Sequence, residues 1–232
     1  VEAETVVVAG STVALRFTDR SDGDLAVHLD AAELEPRRQA VAPTPWTWLE
    51  QVHGADVVVV RHPGDRAGER ADAAVTAVHG ATLAVHTADC AGVLLVGAGG
   101  PGPVVAAAHA GWRGLELGIL QATVAAMREL GAYEVSWRLG PCISAAAYEF
   151  GAQDLARVAA RLGPEVVAAT SSGAPALDLR AGVAAALAEV GAHAADPDPL
   201  SVRCTASDTG CFSWRARSER GRQAALTWIE AG

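Results

Sequence analysis

Apolar residues recur along this chain with two different periods. Short runs rich in valine, leucine and alanine, most of them bounded by Gly, Pro or Asp, have the length and composition of strands. They predict strands at residues 12–17, 25–29, 46–52, 56–61, 82–86, 93–96, 104–108, 135–139, 200–204 and 224–229. Three segments instead repeat their apolar residues every three or four positions, the helical period. The first predicts a helix from about 115 to 130, with Leu120, Val124, Met127 and Leu130 on one face and Gly131 ending it. A second helix is predicted over about 153–162. A third covers about 180–190, with Asp178 as its N-cap, Val183, Leu187 and Val190 on one face, and Gly191 following. Pro, Gly and Asp cluster at 61–68, 97–103 and 195–199, each stretch short enough to be a surface loop. There is no internal repeat. Strands and helices do not alternate regularly, which predicts a single domain over 1–232, a mixed α/β (α+β) layered sandwich and not a doubly wound sheet.

Composition narrows the function classes. The chain has 232 residues, 50% hydrophobic and 19% charged, so it can bury a sizeable core and is not disordered. A net charge of −9 opposes non-specific nucleic-acid binding, which needs a basic face. It leaves room for small anions, because a few placed arginines can hold a phosphate. All 18 basic residues are Arg, which excludes Schiff-base lysine chemistry. No stretch reaches the roughly 20 apolar residues of a membrane span. The start carries Glu2 and Glu4 and lacks the basic segment of a signal peptide. Cys90, Cys142, Cys204 and Cys211 are too few and scattered to staple a secreted domain. The expectation is a cytoplasmic protein with reduced thiols, monomeric, with neither nucleic acid nor membrane as partner. Residues 97–102 are glycine-rich, but no helix and no Lys-Ser/Thr follow, so they are not a phosphate-binding P-loop.

Three segments set reactive side chains at the ends of apolar strands: Gln51-Val52-His53-Gly54, Thr87-Ala88-Asp89-Cys90 and His109-Ala110-Gly111-Trp112-Arg113-Gly114. Loops held by a rigid scaffold are where sites are commonly built. His and Cys are the preferred zinc ligands, and catalytic zinc keeps three protein ligands with a fourth position open. His53, Cys90 and His109 have that count, although no local ligand-x-x-ligand pair exists and tertiary structure must assemble them. The same residues admit a second constellation, with Cys90 a nucleophile and His109 or His53 its base. Either use needs a lowered Cys pKa, which a metal or a protonated His supplies. Asp89 is a candidate general acid or base, or a carboxylate bound to backbone amides at a turn. Arg20, Arg113, Arg215 and Arg217 are candidates for phosphate binding through their guanidinium forks. His28, His62, His79, His86 and His193 read as structural or solvent-facing; His86 stands nearest to Cys90 in the chain.

Taken in order, Gln-Val-His-Gly, Ala-Asp-Cys, His-Ala-Gly-Trp-Arg-Gly, Gly-Pro-Cys-Ile and a late Cys-Thr closely resemble the successive signatures of the bacterial YfiH/laccase-domain family, also called peptidoglycan editing factor or polyphenol oxidase. The resemblance runs from Phe17-Thr18-Asp19-Arg20 to Gly221-Arg222. It implies a layered α/β domain related to cysteine-hydrolase-like folds, and zinc held by His53, Cys90 and His109. It implies phosphorolysis of adenosine, inosine, guanosine and methylthioadenosine, and hydrolytic deamination of adenosine, with nucleosides and phosphate as partners. Related members are credited with clearing misincorporated amino acids from cell-wall precursors.

The chain departs from the family pattern at three points. A usual proline is replaced by Gly92, which predicts a softer loop; the Ser-Tyr-Arg-Arg string reads Ser213-Trp214-Arg215-Ala216; and Leu-Asn-Leu reads Val27-His28-Leu29. On this reading Asp89 protonates or hydrogen-bonds the leaving purine, and Arg20 and Arg113 hold the anion, with Arg215 as a further substrate-binding residue. The alternative is a metal-free cysteine hydrolase acting on amide bonds of peptidoglycan precursors. A copper polyphenol oxidase ranks below both, because a multicopper centre draws on His-x-His pairs that seven histidines spaced in this way do not supply.

Overall fold

Strand residues alternate between the two faces of a sheet. In this chain the central strands are apolar on both faces, so each sheet needs a cover on each side. The computed structural model describes residues 3–231. One sheet contains β1 (Glu4–Val8), β2 (Ser11–Phe17), β3 (Trp46–Glu50), β5 (Glu69–Arg70), β7 (Thr82–Thr87) and β14 (Gln223–Ile229), in the order β1-β2-β14-β7-β3-β5. The other contains β4 (Val57–Val59), β6 (Ala73–Thr76), β8 (Ala91–Ala98), β9 (Val104–Ala110), β10 (Glu134–Leu139) and β13 (His193–Ala194), in the order β13-β10-β8-β9-β6-β4. A small hairpin joins β11 (Val167–Ala169) to β12 (Pro175–Leu177).

The two sheets share an inner core in which Leu83 and Val85 of β7 meet Leu94 and Val96 of β8. The outer face of the first sheet, with Ala84, Ala224 and Leu226, is covered by α1 (Ala31–Val41) through Leu34 and Val41. The outer face of the second is covered by α2 (Trp112–Leu117), α3 (Ile119–Glu129), α4 (Ala152–Leu162) and α5 (Leu179–Glu189). The result is the mixed α/β layered sandwich expected from the sequence, helix–sheet–sheet–helix. A last turn, α6 (Trp214–Arg217), precedes β14.

Several elements differ from the expectation. The helix expected over 115–130 is two helices, because Gly118 adopts φ 89° and ends α2 before α3 begins. Residues 25–29 and 200–204 form no strand; of the second stretch only Cys204 pairs, in an isolated bridge to Cys142. Helix α1 escaped the pattern because only Leu34 and Val41 are buried and Pro36 lies inside it, where proline removes a helical hydrogen bond. Strand β1 reaches β2 through Ala9 and Gly10, both at positive φ, as a tight two-residue hairpin requires. Gly92 does not soften a loop: it sits in β8, where an added Cβ would lie 2.8 Å from that of Ala225 in the facing sheet. The third helix keeps its expected cap, with the Asp178 carboxylate accepting from the amides of Arg180 and Ala181.

Candidate metal centre and its cavity

Register brings the three motifs together. In the β8–β9 pair Ala91 lies opposite Ala110, so Cys90 and Gly111 meet at the same end of the sheet. In the β6–β9 pair Ala73 lies opposite Ala108, and the next amide along, that of His109, donates to the Asp72 carbonyl at 2.7 Å. The loop after β3 delivers His53 to this point. One ligand atom each from His53, Cys90 and His109 lies within 4.8 Å of the others. Cys90 Sγ is 3.8 Å from His53 Nε2, and the two imidazoles meet edge to face at 4.8 Å.

Asp72, which the sequence pattern did not mark, organises the centre. It is wholly buried and its Oδ1 accepts from His109 Nδ1 at 2.8 Å. The same carboxylate takes the amides of Val52, His53 and Gly54 at 3.2, 2.9 and 2.7 Å. That cradle holds His53 at φ 59°, an uncommon conformation for a residue with a side chain. With Nδ1 committed to Asp72, His109 presents Nε2 to the centre, the carboxylate–histidine arrangement that orients metal ligands. Gly111 completes the packing: an added Cβ would sit 2.9 Å from His53 Cδ2 and 3.2 Å from Cys90 Sγ.

Electrostatics match this geometry. Burial raises the Cys90 thiol, but the His109 charge and hydrogen bonds from both histidines outweigh it and bring the thiol down to about 6. Burial lowers His109, and the Cys90 thiolate and Asp72 more than reverse it. For Asp72, burial works upward and the bonds from His109, Gly54 and Val52 prevail, leaving it below the usual carboxylate range. A low-lying thiol beside two imidazoles is the chemistry of a soft metal site or of a nucleophilic cysteine.

The centre lies in the wall of a cavity of about 530 Å³, within the size range of small-molecule sites. The lining on one side includes Tyr148, Trp214 and Arg215, with the Arg215 guanidinium 4.9 Å over the Tyr148 ring and Trp214 54% exposed. Asp89 also lines the cavity. Its carboxylate accepts from Thr205 Oγ1 at 2.6 Å, Ser213 Oγ at 2.7 Å and the Arg215 amide at 2.6 Å, and its φ is 98°. It thereby ties the Cys90 turn to the segment carrying Trp214 and Arg215. Other lining residues include His28, His86 and Arg222. His28 and His86, read from sequence as structural or solvent-facing, therefore belong to the cavity wall.

The arginines expected to hold an anion divide. Arg215 lines the cavity. Arg20 does not: it donates to the Thr209 and Cys211 carbonyls, pairs with Glu219 at 2.7 Å and lies 4.3 Å over Phe212. Arg113 is exposed, stacks on its neighbour Trp112 at 5.0 Å and is likewise off the lining. Arg217 is spent on the Thr205, Ala206 and Cys211 carbonyls and on Glu219. The signal for Arg222 was its place in the last matching string, and for Asp72 a lone acid directly before an apolar strand.

A family model described as multi-copper polyphenol oxidoreductase laccase matches residues 17–230. A Streptomyces coelicolor protein named purine nucleoside phosphorylase is 44% identical, over 85% of this chain and 81% of its own. A Streptomyces griseus protein of the same name is 37% identical over 99% of both chains. Among solved structures, a Neisseria meningitidis protein of family DUF152 aligns with a TM-score of 0.77 and 28% identity over 99% of both chains. Bacillus licheniformis YfiH aligns with a TM-score of 0.78 and 20% identity over 94% of this chain and 93% of its own, a likeness of fold. Among the described residues no helix is long and apolar enough to cross a membrane.

Proposed function

The chain belongs to the family described as multi-copper polyphenol oxidoreductase laccase, and from that membership we propose that it is a zinc-dependent purine nucleoside phosphorylase acting on adenosine, inosine, guanosine and methylthioadenosine. The observation that carries the reading is the His53–Cys90–His109 group in the cavity wall, in a chain 44% identical to a protein that bears the phosphorylase name. Two imidazole nitrogens and a thiolate, with an open side where His53 is exposed, suit zinc. Among the described residues this is one three-ligand group, whereas a multicopper site needs several histidine clusters. When bound, the ion supplies Lewis acidity at one open coordination position.

The protein's own groups do the rest. Asp72 fixes the His109 tautomer and the His53 loop. Trp214 and the Arg215–Tyr148 pair offer flat faces for a purine, since any base can stack on an aromatic ring. Asp89 positions Arg215, and its Oδ2, engaged among the described residues only by the Arg215 amide, has capacity to accept a hydrogen bond from the base. Phosphate attack at the anomeric carbon then expels the purine through an oxocarbenium-like state. Hydrolytic deamination of adenosine is a second use of the same pocket.

The low-lying Cys90 thiol favours one competing reading, a cysteine hydrolase of amide bonds. Elemental analysis of the purified protein, with an adenosine assay run with and without phosphate, separates them. We expect about one zinc per chain, lost in His53→Ala, and adenine released only when phosphate is present. Ammonia released without phosphate would select deamination. Activity indifferent to chelators yet abolished by alkylating Cys90 would overturn the zinc reading.

A further inference from the structure

Apart from the exposed His28, the metal centre and the aromatic wall leave two basic side chains of the cavity unused, His86 and Arg222. His86 is 6% exposed, and among the described residues neither ring nitrogen has a hydrogen-bond partner. Buried polar groups are almost always paired, so an orphaned imidazole in a cavity wall calls for a missing partner. Its main chain is fixed, because the Gln51 amide donates to the His86 carbonyl at 2.8 Å and accepts from its N–H at 2.7 Å. Arg222 anchors Nη1 on the carbonyls of Glu219, Arg220 and Gly221. Its Nε and Nη2 bond to nothing among the described residues. Nearby Arg38, over Trp46 and Trp48 at 5.5 and 5.3 Å, has Nε and Nη2 buried without a partner. Neither arginine makes an ion pair among the described residues. The acids of the lining pair elsewhere: Glu50 faces Arg70 at 3.6 Å, and Asp89 accepts from Thr205, Ser213 and the Arg215 amide.

We propose that His86 and Arg222 form the subsite that holds inorganic phosphate, with Arg38 adding positive charge behind them. The proposal rests on the phosphorylase reading for its role in turnover, but not for binding itself. A guanidinium fork matches two phosphate oxygens. Burial, with the charges of Arg38 and Arg222, keeps the His86 imidazole neutral at physiological pH. A neutral imidazole donates from one nitrogen and accepts at the other. Phosphate near neutral pH offers both an anionic oxygen and a P–OH, and so can pair with either nitrogen, whichever faces it.

The test is direct binding of inorganic phosphate to the zinc-loaded protein by calorimetry, with a nucleoside 5′-monophosphate as the comparison probe, followed by phosphate and nucleoside KM. Arg222→Gln and His86→Leu are each expected to weaken phosphate binding about tenfold to a hundredfold, as loss of a hydrogen bond to a charged group does, while zinc content and nucleoside KM hold. His86→Leu keeps the test informative if Arg222→Gln loosens the loop it anchors. Wild-type phosphate binding lost in the variants supports the subsite even if no nucleoside is turned over, in which case only the phosphorylase reading fails. Turnover with an unchanged phosphate KM in both variants would overturn the subsite and leave that reading standing. Binding of the nucleotide alone would also overturn it.

Discussion

At the scale of single residues, the candidate ligand atoms are set by neighbours outside the three-ligand group. Asp72 joins the His53 loop to the His109 ring with one carboxylate. Asp72→Asn is expected to lower zinc affinity about tenfold to a hundredfold, the usual effect of removing such a support; competition with a chromophoric chelator measures it, and unchanged affinity would remove Asp72 from the centre. Cys204, outside the candidate ligand group, allows a pH test. Burial raises its thiol, but the hydroxyl and amide of Ser144, at 3.2 and 3.4 Å, help bring it down to about 7. Burial pushes Cys142 up to about 12. Because a lowered pKa means thiolate above it, iodoacetamide should label Cys204 with a midpoint near pH 7 and leave Cys142 unlabelled at neutral pH. Ser144→Ala should move that midpoint upward, as site-resolved mass spectrometry would show. The three metal-ligand candidates were legible in sequence because His and Cys at the ends of apolar runs stand out. Asp72 and His86 were not, since one acid before a strand or one His within it has the same pattern in any fold.

At the scale of elements, glycine decides what periodicity leaves open. The apolar stripe continues from α2 into α3, and only the φ of 89° at Gly118 separates them. An added Cβ there meets nothing closer than 3.6 Å, so Gly118→Ala isolates backbone strain from packing. It should destabilise the fold by about 1 kcal/mol, a fall in Tm of about 2–4 °C for a chain of this size. Thermal unfolding tests this, and an unchanged Tm would mean that the two helices fuse without strain. Strands β7, β8 and β9 were readable because their apolar runs are continuous and rich in Val, Leu or Ala. Helix α1 was not readable, since its two buried residues and internal proline carry no helical stripe.

At the scale of the whole molecule, the candidate centre draws on both sheets: His53 follows β3 of the first, His109 belongs to β9 of the second, and Cys90 lies on the turn from β7 to β8 that links them. A metal held there would bind the folded chain and not the unfolded one. Removing it should therefore lower stability by about 4 kcal/mol if free zinc is a thousandfold above its Kd, a fall in Tm on the order of 10 °C. Chelation followed by zinc readdition should abolish and restore this shift in the native protein, and His53→Ala should be insensitive to both. The sequence by itself determined the layered class, most of the long strands and the identity of the candidate ligands, because these depend on local period and residue chemistry. Only the tertiary structure decided that Asp72 supports two candidate ligands, that Arg20 and Arg113 stay off the cavity while Arg222 joins it, and that His86 lies buried without a partner among the described residues. Those facts follow from strand register and sheet stacking, which bring together residues that no local pattern relates.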